Sequence, residues 1–153
     1  SDLTVNSAGR IVDCKTSATG ELIIPSRISS RNVRFIGRQA FVGCTSLTSI
    51  TIPDSVTSIG EGVSHERSSL TSIIFQGVAP TVGIDAFLNT PDGAVAVVSI
   101  EDQASFGDLG ADWNGLTVNM SVSDMITALN AQNAAVATAR TAGGGPLAAR
   151  RCL

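Results

Sequence analysis

The chain has 153 residues, of which 43 % are apolar, 15 % charged and 4 % aromatic, with a net charge of −3. That length is one domain with a sizeable core, and so few charges and aromatics argue against a nucleic-acid surface. No apolar run reaches the ~20 residues of a membrane span, and the three cysteines form neither a CxxC nor a Cys/His metal pattern.

Residues 1–20 read as an entry segment. Leu3–Asn6 and Arg10–Cys14 flank Ser7-Ala8-Gly9, a hairpin turn. The chain starts at Ser1 rather than Met, as a mature or excised piece of a longer protein would. Leu22-Ile23-Ile24 is a short strand stopped by Pro25, which has no N–H for a ladder. Val33–Ile36 is a second short strand, and Arg38–Val42 reads as one helical turn. Leu47–Ile52, stopped by Pro53, repeats the first signal, and Val56–Ile59 repeats the second.

The repetition has a fixed period. Ile36-Gly37 returns as Ile59-Gly60, and Leu47-Thr48-Ser49-Ile50 as Leu70-Thr71-Ser72-Ile73, each after 23 residues. Ala40-Phe41 is answered at Ala86-Phe87. A period of roughly 20–29 residues carrying L-x-x-I-x-I marks a leucine-rich solenoid. With few aromatics, its narrow interior is built from Ile, Leu, Val and Ala. Stacking sets Leu47 over Leu70, Ile50 over Ile73, Ile52 over Phe75 and Ile36 over Ile59. Residues 76–119 are broken often by Gly and Pro and form an irregular end, with last strands at Val95–Ile100 and Leu116–Val118. Trp113 is placed to cover the open apolar end.

After residue 120 the pattern changes. Ser123 and Asp124 suit a helix N-terminus, and Met125, Ile126, Leu129, Asn133 and Val136 share one face at 3.6 spacing. Gly143-Gly144-Gly145-Pro146 ends the helix in a tail. The expected organisation is a mainly β, right-handed repeat solenoid over 1–119, with an N-terminal hairpin and an irregular C-terminal cap. An amphipathic helix follows over 120–141, then a flexible tail over 142–153.

Ile36, Gly37, Ala40, Phe41, Cys44, Leu47, Ile50, Ile52, Pro53, Ser55, Val56, Thr57, Ile59 and Gly60 together resemble one nearly complete BspA-type leucine-rich repeat. Looser copies extend the likeness to about residues 10–119. The resemblance implies a secreted or surface-displayed array that adheres to proteins, other cells or matrix. It implies no catalytic residue and no cofactor. The second copy departs from it: Val63-Ser64 replaces Ala-Phe and Arg67 replaces the cysteine. Because Arg is almost never buried unpaired, the His65-Glu66-Arg67 corner is expected to swing outward or pair, Glu66 with Arg67 or Arg38. It reads as a ligand contact or as a decayed, solvated loop.

No chemistry-bearing constellation stands out. His65 is the sole histidine, and no spacing fixes a triad around it. No calcium-loop pattern occurs, so neither metal nor cofactor is expected. Cys44 falls in a core slot. Cys14 and Cys152 are read as free thiols, with a pairing between them, or of Cys152 with another chain, as the alternative. Asn119-Met120-Ser121 is a formal glycosylation acceptor. Arg27, Arg31, Arg34 and Arg38 form a basic set able to hold an anion.

Charge is divided along the chain. Residues 1–50 carry +3, residues 51–120 carry −8 and the remainder +2. Solvation of two faces explains this, and so does head-to-tail association. The expected binding face is the outward strand surface: Glu21 and Ile23, then Thr48, Ser49 and Thr51, then Thr71, Ser72 and Ile74. A second candidate is the helix stripe Met125, Ile126, Leu129 and Val136. Two functions follow. One is a non-catalytic extracellular or cell-surface adhesion module with a protein or glycan ligand. The other is a self-assembling structural protein, a homo-oligomer or filament subunit.

Overall fold

The computed structural model describes residues 3–64 and 69–142, with side chains to residue 137. The expectations for His65, Glu66, Arg67, Cys152 and the tail from 143 lie outside the described residues. Packing groups the chain into two units, Ser1–Met120 and Ser121–Leu153.

The first unit is a short solenoid. β1 (Leu3–Val5) and β2 (Arg10–Cys14) form the expected antiparallel hairpin. Gly9 at φ +74° closes its turn, and the Asn6 side-chain oxygen accepts hydrogen bonds from Ala8 and Arg10 N–H. From β2 onward each coil gives strands to two sheets. One sheet runs, in spatial order, β3 (Thr19–Ile23), β7 (Ser46–Ile52), β9 (Ser72–Phe75), β11 (Val95–Val98), β13 (Leu116–Met120) and β12 (Asp112–Trp113). The other runs β1, β2, β6 (Phe35–Ile36), β8 (Ser58–Ile59) and β10 (Thr81–Val82). Pairing between successive coils is parallel throughout. A small hairpin of β4 (Arg27–Ile28) and β5 (Arg31–Asn32) and a short helix α1 (Gln103–Phe106) complete the unit.

The repeat spacing produces this register directly. Ile50 pairs with Ile73, Ile52 with Phe75 and Ile36 with Ile59. The inward row Leu22–Ile50–Ile73–Ala96–Val118 crosses five coils and is buried along its length. Each such side chain gains roughly 1.5–3 kcal/mol of transfer free energy. Leu47 lies one residue further out than strand alternation from Ile50 requires. The β3–β7 register slips between Gly20 and Glu21, opposite Leu47 and Ser49, so Thr48 is the extra residue of a bulge. That slip turns both Leu47 and Ile50 inward and accounts for the L-x-x-I spacing.

The corners differ from expectation. Residues 38–42 form no helical turn: Gln39 has φ +55°, and the bonds are short i to i+3 turns such as Ala40 N–H to Gly37 O. The reason is that Gln39 and Phe41 N–H donate to Glu61 and Val63 of the next coil, not along a helix. Val63 and Ser64 follow the same path. Both are buried, and Ser64 Oγ donates to Ala86 O at 3.1 Å. Arg38 pairs with Glu61 at 3.3 Å.

The cysteine expectation is also corrected. Cys44 is buried as its core slot demands, but Cys14, expected as a free thiol or a partner of Cys152, is bonded to it. β2 ends at Cys14, one coil below the corner that ends at Cys44, and both Cβ atoms point into the interior with Cα atoms 6.4 Å apart. At the far end Trp113 packs on the core as expected. Its ring centroid lies 5.2 Å from Phe75 and 4.9 Å from Phe106.

Gly37, Gly60 and Gly83 hold equivalent places before each corner. A Cβ on Gly60 would sit 2.6 Å from Arg38 N and 2.8 Å from Gly37 C, backbone atoms of the coil before. The close coil spacing of about 4.8 Å therefore demands glycine there. Gly60→Ala is expected to cost about 1–3 kcal/mol, as overpacking against backbone does, measured as a lowered midpoint in urea with unchanged slope.

The second unit contains α2 (Val122–Ala142). Its cap is Ser121, not Ser123: Ser121 Oγ accepts from Asp124 N–H at 3.2 Å and donates to the Asp124 carboxylate at 2.9 Å. Ser123 already lies inside the first turn, where its carbonyl accepts from Thr127 Oγ1.

Candidate binding face

On a strand, alternate residues face opposite sides. With Leu22, Ile50, Ile73, Ala96 and Val118 inside, the residues beside them form two outward rows. The first is Glu21–Ser49–Ser72–Val95–Thr117 and the second Ile23–Thr51–Ile74–Val97–Asn119. Five rungs at about 4.8 Å span about 20 Å.

The structure places Glu21, Ile23, Ser49, Ser72 and Ile74 together on this face. Ile23, on the edge strand, is 61 % exposed. Thr51 belongs to the second row but is only 5 % exposed, between Ile23 and Ile74 in the register. It is a wall of the face rather than a contact point. Thr48 and Thr71 stand at its margin, both exposed. Thr71 N–H and Oγ1 both donate to Thr48 O, at 2.9 and 3.2 Å, so that hydroxyl joins two coils.

The face is less uniform than its Thr/Ser composition implied. A row headed by Glu21 and two serines lies beside a row dominated by Ile23, Ile74 and Val97. Val95, Val97, Thr117 and Asn119 extend both rows and were missed from the sequence. The signal was present: Val95 and Val97 follow Ser72 and Ile74 by the same 23 residues.

Met125, Ile126, Leu129 and Val136 are all exposed on α2. Alanines on its other faces leave the helix only weakly amphipathic. Among the described residues no three His, Cys, Asp or Glu side chains are grouped to hold a metal ion. No helix among them is long and apolar enough to cross a membrane.

Comparison with protein families matches residues 19–103 to the BspA type leucine-rich repeat region, in six copies. Neither the curated proteins nor the solved structures gave a match. The match covers more than half the chain, from β3 to the start of α1, and leaves out the β1–β2 hairpin, β12–β13 and α2.

Proposed function

The chain belongs to the BspA-type leucine-rich repeat family, and from that premise we propose that it is a non-catalytic adhesion module of an extracellular or cell-surface protein. The family is commonly a surface protein–protein interaction or adhesion module. The observation that carries the reading is the two-row face on β3, β7, β9, β11 and β13. It is solvent-facing, rigidly laddered and nearly free of charge. The Cys14–Cys44 bond supports an extracellular setting, because disulfides persist in oxidising compartments.

The ligand is a protein segment. The apolar row takes alternate side chains of an extended chain, and the serine row meets its polar groups. The face is small. A band about 20 Å long falls short of the roughly 800 Å² per partner of a stable interface. Single contacts are therefore weak, and firm adhesion comes from several copies acting together.

Ser72 is the central rung, between Ser49 and Val95. Ser72→Arg should weaken binding to an immobilised extracellular-matrix protein at least about tenfold, or 1.4 kcal/mol. Gln76→Arg, on the exposed turn after β9, should leave it unchanged. A panel of matrix proteins and glycans read by surface plasmon resonance is the measurement. Equal binding by both variants, or binding of glycans alone, would remove the proposal.

A further inference from the structure

The two poles of the solenoid carry opposite net charge. At the first pole Arg31 and Arg34 line a hollow with Ser7, Ala8 and Gly9 of the β1–β2 turn. Arg10 lies close by in β2, over the Phe35 ring at 5.7 Å, and Lys15 and Arg27 are exposed. Among the described residues of that end, Asp13 and Glu21 are the carboxylates that oppose them. At the other pole, residues 69–120 contain Asp85, Asp92, Glu101, Asp102, Asp108 and Asp112 and no Lys or Arg. The Arg38–Glu61 ion pair lies between the poles.

The acidic pole is also where one sheet is left open. Trp113 and Phe106 close the core, but β10 is the last strand of its sheet. In earlier coils Gln39 and Phe41 N–H bond the next corner, as do Gly62 and Ser64 N–H. Asp85 and Phe87 hold the same places at the last corner of that sheet among the described residues. A hollow of about 530 Å³ lies there, rimmed by Ile84, Asp85, Leu88, Asn89, Asn114 and Gly115. Ile84 is 77 % and Leu88 43 % exposed.

We propose that this hollow at the acidic pole docks the basic pole of a second copy of the chain, Arg31 and Arg34 entering against Asp85 and the Ile84–Leu88 rim. The occupant follows from charge: the complement of the acidic pole stands at the opposite end of the same molecule. Such a contact is heterologous, so it repeats into rings or open chains rather than two-fold dimers. It leaves the two-row face uncovered and would line those faces up for several weak contacts at once.

The test is sedimentation velocity of the full chain carrying Cys152→Ser, which removes disulfides between copies. At about 0.05 M salt the mass should grow with concentration. At about 0.5 M, where the screening length is a few ångströms, it should fall to the monomer. Arg31→Glu with Arg34→Glu should abolish growth, as should Asp92→Lys with Asp112→Lys. Mixing the two variants should restore it, since each then offers the pole that the other lacks. A monomer under every condition would overturn the proposal, as would growth indifferent to salt and to both variants. Growth lost instead in Ile126→Lys with Leu129→Lys would move the contact to α2. Retention on heparin without self-association would make the basic pole a polyanion site.

Discussion

Leu47→Ala should lower the unfolding free energy by about 2–5 kcal/mol, towards the upper part of that range. Leu47 is 1 % exposed in the narrow interior and belongs to a strand laddered on both sides, to β3 and to β9. Collapse around the vacated volume would require coils to move together. They are already at ladder spacing, so the cavity persists. The neighbouring residue is the control. Thr48 is the bulge residue, its side chain exposed and its bonded atom the backbone oxygen. Thr48→Ala should therefore stay within about 0.5 kcal/mol. Urea unfolding of the pair reads the difference. Near-equal costs would mean that the bulge does not turn Leu47 inward.

Removing the Cys14–Cys44 bond should cost about 3–4 kcal/mol, the loop-closure value for cysteines 30 residues apart. The bond ties the family-unlike N-terminal hairpin to the first full corner. Without it β1 and β2 should fray before the inner coils. Cys14→Ala with Cys44→Ala, or reduction, should lower the melting temperature, and the chemistry has its own check. Thiol titration of the unreduced chain in denaturant should find one reactive cysteine out of three. Three would show that the bond is absent.

The repeats were legible because the stack imposes a period on the chain. Ile36 over Ile59 and Ile50 over Ile73 are consequences of one spacing, and so are the glycines that let coils approach. Elements that break the period were hidden. The β4–β5 hairpin turns on Ser29 and Ser30, both at positive φ, where Asn-Gly or Asp-Gly would have announced the turn. The corner at 38–42 looked helical because its bonds to the next coil are invisible in local sequence. The disulfide joins residues brought together only by stacking. Half of the candidate face was readable. Thr51 was misjudged because a position facing outward on a strand is still covered when its flanking rungs are isoleucines. Val95 and Val97 were lost because their coil no longer carries the serine and threonine of the earlier ones.

The most direct measurement is hydroxyl-radical footprinting of the chain bound to a matrix protein from the panel. The account predicts reduced oxidation at Ile23, Ile74, Val95 and Val97, the apolar residues of the two rows, with Ile84, Leu88 and Val78 unchanged. Protection of Ile84 and Leu88 instead, with the rows oxidised as in the free chain, would contradict it and place ligand binding at the solenoid's end.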